Sequence, residues 1–378
     1  MRSTDSVEAS GGSAPTGSEL KPDAPKGGVK TALATLAIAA FGGWLASLAG
    51  LPLPWLIGAQ LALCIVALMR VELFGAPPHW PRASRDIFLP VLGVMIGSAF
   101  TMEILAQVPE WWPSLAVLSV FLVVAHALVF AMFRRIGGYD LPTAFFASFP
   151  GGFVEATLMG AEAGGNQRII LVQHFLRMSL IVLLVPLLFW WASGHAVGSA
   201  SGTAMGTRGS IAPAELPILI VAGMAGTLIG RRLRFPAPDI SGAIAASALV
   251  HLAGWSDGQL PHILIALTQL MVGTSLGVGF VGIGRGEIAR AIGLALGAFA
   301  LVFAMAFAVA VAIHAYADRD VQTLILAFAP GGLAEMSLVA LSLHLSVPFV
   351  TLHHIYRIFF AVAVLPRAYR WLSRDGAP

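Results

Sequence analysis

Charge is scarce in this sequence. Only 11% of its 378 residues are Asp, Glu, Lys or Arg, against 57% hydrophobic, whereas a soluble globular chain carries roughly 25% charged residues. A water-facing surface cannot be assembled from so few ionic groups, and the mean hydropathy of +0.84 agrees. Cysteine is scarcer still. Cys64 stands alone, which excludes intrachain disulfides and Cys-based metal sites; inside an apolar run it reads as a small packing residue. Strict apolar–polar alternation is missing too, which argues against a β-barrel. The net charge of +3 comes mostly from arginines at the ends of apolar runs, a topology signal and not a nucleic-acid surface. With no GxGxxG, P-loop or nucleophile–base set, ATP-driven transport within this chain has no support.

What is present is a series of apolar runs, at 31–49, 53–70, 87–105, 114–133, 141–162, 168–192, 215–230, 239–254, 262–283, 288–314, 321–344 and 352–373. Runs of about 18 residues cross about 30 Å of hydrocarbon as helices. Residues 1–29 are rich in Ser, Gly, Pro and charge and read as a disordered tail, without the h-region and cleavage site of a signal peptide. The polar stretch 193–214 reads as a linker between membrane units at 30–192 and 215–374.

These units repeat. Phe149-Pro150-Gly151-Gly152-Phe153-Val154-Glu155-Ala156 matches Ala329-Pro330-Gly331-Gly332-Leu333-Ala334-Glu335-Met336 at a spacing of 180 residues (155 to 335). The same spacing pairs Asp140 with Asp320, His174 with His354, Arg177 with Arg357, Pro186 with Pro366, and Gly93 and Gly97 with Gly273 and Gly277. Upstream, Pro54 and Gly58 match Pro238 and Gly242 at a spacing of 184 (58 to 242), so a short indel separates the blocks. Hydrophobicity alone does not generate matched Pro, Gly, Glu, Asp and Arg.

Basic clusters suggest the orientation. They lie at Lys26/Lys30, Arg70/Arg82/Arg85, Arg134/Arg135, Arg231/Arg232/Arg234, Arg285/Arg290 and Arg367/Arg370/Arg374. If every run crosses, the Arg231 cluster falls opposite the N-terminus. If 141–162 and 321–344 instead enter and leave by one face, every cluster falls cytoplasmic. Ten crossings result, five per half, so the halves are inverted. The Pro-Gly-Gly break fits: proline removes a donor and Gly-Gly frees the dihedrals, leaving two arms of roughly 15 Å that form either a re-entrant hairpin or one broken crossing helix. The expected fold class is an all-α membrane protein of two inverted repeats, each with about five transmembrane helices plus one broken or re-entrant segment. Inverted repeats with broken helices are a plan of secondary transporters.

The candidate ligand-binding residues surround the breaks. They are Pro150, Gly151, Gly152, Glu155, Gln173, His174 and Arg177 in the first unit, and Pro330, Gly331, Gly332, Glu335, His353, His354 and Arg357 in the second. Glu155 and Glu335 sit in the first turn of a new half-helix, where a carboxylate either caps free amides or faces a solute. The amides of Gly151/Gly152 and Gly331/Gly332 could equally receive an anion. Arg177 and Arg357 lie mid-helix, where an unpartnered arginine costs several kcal/mol; the natural partner of each is its own unit's glutamate, 22 residues earlier (155 to 177). Arginine also pairs bidentately with carboxylate or phosphate, so an anionic ligand fits. The histidines read as structural hydrogen-bonders, with a proton relay as the alternative; adjacent His353 and His354 point about 100° apart and do not chelate one ion. Asp140 and Asp320 read as helix N-caps, and the paired glycines as close-packing positions.

The paired Pro-Gly-Gly-x-x-Glu segments, the Leu53-Pro54-Trp55-Leu56-Ile57-Gly58 block and the helix ending each half resemble the AbrB family of bacterial integral membrane proteins, across about 31–374. The second motif is the closer match; the first has Phe153-Val154 and lacks the methionine. Members are variously labelled regulators of gene expression, ammonia monooxygenases or transporters. Oxygen chemistry at copper or iron needs clustered His or carboxylate ligands, and no DNA-reading module backs a direct regulator. The expectation is therefore a non-enzymatic, cofactor-free, multi-pass protein of the bacterial inner membrane, a secondary transporter of a small solute. The alternative is a membrane sensor or scaffold acting indirectly on gene expression. Expected partners are the lipid bilayer, an unidentified small solute for which an anion is one option, and a coupling proton or sodium ion, with homo-oligomer formation open and no nucleic acid.

Overall fold

The computed structural model describes residues 28–81, 83–193, 212–258, 260–261, 263–283 and 285–375. Most of the expected tail and linker, at 1–27 and 194–211, lies outside the described residues. The described residues form helices and no strand beyond one isolated bridge between Leu73 and Ala76.

The first half comprises α1 (Val29–Leu48), α2 (Pro54–Leu68), α3 (Ala83–Gly97), α4 (Met102–Gln107), α5 (Trp112–Arg135), α6 (Leu141–Ala147), α7 (Phe153–Glu162) and α8 (Gln167–Ser193). A 3₁₀ turn, Val108–Trp111, joins α4 to α5. The second half comprises α9 (Leu216–Arg232), α10 (Pro238–Leu252), α11 (Ile263–Val278), α12 (Arg285–Ala317), α13 (Val321–Phe328), α14 (Leu333–Ser342) and α15 (Val347–Asp375).

Among the described residues, five helical stretches are long and apolar enough to cross a membrane: Val29–Leu48, Met102–Arg135, Gln167–Ala192, Ala289–Ala317 and Val347–Arg374. The helices α2, α3 and α10 have 15 residues each, about 23 Å at helical rise and short of the hydrocarbon thickness. The run read as one crossing at 87–105 is two helices. The chain turns at Ser98–Phe100, and the Thr101 hydroxyl starts α4 by accepting from the Ile104 amide at 3.2 Å.

Local backbone choices recur between the halves. Leu53 and Ala237, each just before the proline that opens α2 or α10, have φ of 46° and 47°. Left-handed residues at Gly50, Gly138 and Gly164 recur as Arg234, Asp318 and His344. A left-handed conformation is uncommon for a residue with a Cβ, so shared placement is stronger evidence of one ancestral chain path than shared hydrophobicity.

Glycine sets the closest helix approaches. A Cβ on Gly42 would lie 2.4 Å from the Gly58 carbonyl oxygen, and one on Gly226 2.4 Å from that of Gly242. Gly93 and Gly97 of α3 pack on Ile240 and Ile244 of α10, and Gly273 and Gly277 of α11 on Leu56 and Gln60 of α2. Without a hydrophobic force between helices in lipid, such backbone approach is the main source of association. The two halves therefore interlock: the third helix of each packs on the second helix of the other.

The chain doubles back at each break. In the first, the Asn166 amide donates to the Thr143 hydroxyl at 2.7 Å, and Gly160 of α7 faces Phe146 of α6. The end of α7 thus returns to the start of α6. In the second, α13 and α14 pack on each other and on α15.

Candidate functional site

Each break brings a helix C-terminus and a helix N-terminus to one point. The first presents unpaired carbonyls and partial negative charge, the second unpaired amides and partial positive charge. Arginine serves the first end. Arg177 Nη1 donates to the Phe149 carbonyl at 2.7 Å, and Arg357 Nη1 to the Ala329 carbonyl at 2.7 Å. Arg357 Nη2 also reaches the Gly331 carbonyl. Glutamate serves the second end. The Glu155 and Glu335 carboxylates fold back over the N-cap glycines, so that a Cβ on Gly152 or Gly332 would lie 2.0 Å from the respective Oε2. This is the reach of an N3 glutamate in a capping box. At each break the arginine thus answers the carbonyl end and the glutamate folds over the amide end.

The histidines tie the last helix of each half to its first hairpin arm. His174 Nε2 lies 2.8 Å from the Phe146 carbonyl and His354 Nε2 3.0 Å from that of Leu326. His353 bridges the Phe349 carbonyl at 2.8 Å and the Ser114 hydroxyl at 2.9 Å. Gln173, at the matching position, donates to the Tyr139 hydroxyl at 2.9 Å, while its Oε1 is buried without a partner. The N-caps form: Asp140 accepts from the Thr143 amide at 2.9 Å and Asp320 from that of Thr323 at 2.6 Å.

The two breaks meet. Pro150 and Pro330, Arg177 and Arg357, and Gln173 line one cavity between α5 and α12, with apolar walls from Phe121, Phe299 and Phe328. Its volume is about 30 Å³, room for a water or two. Among the described residues, no carboxylate lines it. The Nε of both arginines is buried without a partner. Gly151 lies on this contact: a Cβ there would be 2.8 Å from that of Ala361 in α15. Glu335, nearly buried, lines a separate cavity of about 190 Å³ with Met178, Ser275 and Phe175; Met178 also abuts Gly332.

One lining residue escaped the sequence reading. His126 of α5 is 6% exposed and lines the central cavity. Its Nδ1 lies 3.2 Å from the Ser148 hydroxyl, and its Nε2 has no partner. The position 180 residues on is Ala306, so the motif comparison that found the other residues passes over this one. An isolated histidine inside an apolar run was its only signal.

These helices, with paired broken hairpins meeting at buried arginines, define a helical membrane protein with a charged centre. The chain belongs to the AbrB family, described as Transition state regulatory protein AbrB, which it matches over residues 55–373. It is similar to "Uncharacterized protein YhjN" of Bacillus subtilis (strain 168), with 27% identity over 356 residues, 89% of this chain and 92% of the relative. It is also similar to "Putative regulator AbrB" of Escherichia coli (strain K12), with 23% identity over 329 residues, 85% of this chain and 91% of the relative.

Proposed function

We propose that this protein is a secondary transporter of a small anionic solute in the bacterial cytoplasmic membrane, built from two inverted repeats whose hairpins enter from opposite faces. The observation that carries the reading is the central cavity, where each half supplies a proline break and an arginine and, among the described residues, no carboxylate is in the lining. Two guanidinium groups in a small, water-poor space attract an anion more strongly than they would in water.

The inversion is supported by the ends of α5 and α12. Gly137, just past the end of α5, abuts Leu294 near the start of α12. Arg319, just past the end of α12, donates to Gln107 before the start of α5. The first hairpin begins beside the former end and the second beside the latter. Each hairpin tip then reaches the membrane middle from its own side, where irregular backbone is tolerated because protein covers it. The central cavity, as small as it is, corresponds to an occluded state. Glu155 and Glu335, at the hairpin tips, are the groups proposed to carry a coupling proton or sodium ion.

Purified protein in proteoliposomes tests this. Uptake of labelled acetate, chloride or phosphate, driven by a pH or sodium gradient and abolished by Arg357→Gln, is expected. Gradient-insensitive leak alone, or no flux for any small anion that stabilises the protein thermally, overturns it. The latter result would favour a solute-sensing membrane protein, a reading in keeping with the regulator name of one relative.

A further inference from the structure

Carrying each position of the first half 180 residues forward exposes one departure from symmetry that is larger than any single substitution. A cleft of about 390 Å³ opens beside the first hairpin, lined by Tyr139, Asn166, Arg168, Gln173 and Arg290 among others. Gln173 is 2% exposed and lines both this cleft and the central cavity. The Tyr139–Gln173 hydrogen bond therefore lies on the wall between them, and the unpartnered Gln173 Oε1 is buried there.

The matching place beside the second hairpin is filled. Tyr139, Gln173 and Ala291 correspond to Arg319, His353 and Trp111, and Ile169 to Phe349. Trp111 and Phe349 are 3% and 1% exposed, with their rings edge-to-face at 5.1 Å. The Arg319 guanidinium lies over both, 5.9 and 5.8 Å from their centres. The His353 ring lies 4.0 Å from that of Phe349. Arg290, which brings positive charge to the cleft, corresponds to Glu110. One side is open, polar and basic; the other is an aromatic plug held by a cation.

We propose that the cleft of Arg168, Arg290, Tyr139, Asn166 and Gln173 is a binding vestibule for small anions on one membrane face, and that Trp111, Phe349 and Arg319 form the closed gate at the equivalent place on the other. The inference deepens the transport reading and rests on it. Two arginines at the mouth of a low-dielectric cleft concentrate anions there. The Tyr139–Gln173 bond is a thin barrier to the central cavity, whereas two edge-to-face rings and a guanidinium are a thick one. Alternating access then consists of exchanging the two: the plug loosens as the cleft closes.

Thiol accessibility in the full-length protein tests this. Val172→Cys places a thiol in the cleft, and Leu352→Cys places one at the matching position, both in a Cys64→Ser background. The probes are anionic sulfonatoethyl and cationic trimethylammonioethyl methanethiosulfonate, applied from either face of membrane vesicles and scaled to their rates on a free thiol. We expect the Val172→Cys variant to react from one face only, favouring the anionic probe by about fivefold. Adding Arg168→Gln and Arg290→Gln abolishes that preference. The Leu352→Cys variant stays slow from both faces until Trp111→Ala, or the milder Arg319→Gln, accelerates it by about tenfold. Equal rates at the two positions, or no charge preference at Val172→Cys, overturn the proposal. Flux without this asymmetry overturns the vestibule and leaves the transport reading standing; asymmetry without flux does the reverse.

Discussion

Arg357 donates to the Ala329 carbonyl at 2.7 Å, across a helix break that leaves this carbonyl without a helical partner. The bond is charge-assisted, adds to the one this carbonyl accepts from the Gly331 amide at 2.9 Å, and sits at the partial negative end of α13. Replacing Arg357 by Gln keeps a donor and removes the charge. The expected loss is about 2 kcal/mol of stability, read as a lower melting temperature in detergent, together with weaker stabilisation by added anions. Arg177→Gln acts in the same direction with a smaller stability effect, since Arg357 bonds two carbonyls at the break.

Gly332 and Glu335 are coupled. A methyl group on Gly332 would occupy the place of the Glu335 carboxylate, which must swing away and uncap α14. Gly332→Ala is expected to cost about 1 kcal/mol, and Glu335→Ala a similar amount. The double variant should cost clearly less than the sum, because the first change already removes the cap. Additivity in thermal unfolding would show that the carboxylate does not cap the break. Gly152→Ala with Glu155→Ala gives the same comparison in the first half.

Two glycines that look alike in sequence should respond oppositely. Gly242 has no space for a Cβ, which would lie 2.1 Å from the Gly226 carbonyl oxygen, whereas a Cβ at Gly293 meets nothing within 4 Å. Gly242→Ala forces α9 and α10 apart and should destabilise by about 2 kcal/mol or more. Gly293→Ala, on an open face of α12, should stabilise by about 0.5–1 kcal/mol through helix propensity.

Gly138 isolates backbone strain from packing. It has φ of 67° and open space around its Cβ position. Alanine there should cost about 1 kcal/mol from the left-handed conformation alone. Its counterpart Asp318 has φ of 47°, so Asp318→Gly should relieve strain and raise the melting temperature.

A pH effect is expected outside the membrane. The Glu215 carboxylate, just before α9, accepts from the Ser256 hydroxyl at 2.6 Å and the Gly258 amide at 3.0 Å. These bonds hold its acid constant below the usual carboxylate value of 4.5. With the folded value depressed, the contribution is present above the unfolded value and is lost as pH falls through the folded one. Protection of the Gly258 amide from exchange, taken relative to its intrinsic rate at the same pH, should therefore fall in acid below about pH 4.5, and Glu215→Gln should remove that dependence.

Much of the fold was legible because polar punctuation is costly in apolar runs. Pro150 and Pro330, with their following glycines, could be located and paired from sequence since little else breaks a helix so firmly. Asp140 and Asp320 were readable as caps for the same reason. The carbonyls that accept from the arginines, those of Phe149, Ala329 and Gly331, were not readable, because a backbone carbonyl leaves no trace in the sequence. His126 was missed because its counterpart is Ala306, and a method that works by matched positions is blind to what only one half carries. The turn at Ser98–Phe100 was hidden by its apolar neighbours, so 87–105 passed for one helix.

The glycine contacts between α3 and α10, and between α11 and α2, carry a consequence for biosynthesis. Each half closes the glycine contact between its own first two helices, but it lends the glycine face of its third helix to the other half. When the ribosome has delivered the first half, the faces of Leu56 and Gln60 on α2 and of Gly93 and Gly97 on α3 still lack their neighbours. They remain so until α10 and α11 have been inserted, more than a hundred residues later in the sequence. Co-expressed separate halves should therefore assemble by clasping each other, whereas either half expressed alone should be degraded or pair with a second copy of itself. That self-pairing is the arrangement a single-unit ancestor would need if the two halves arose by duplication.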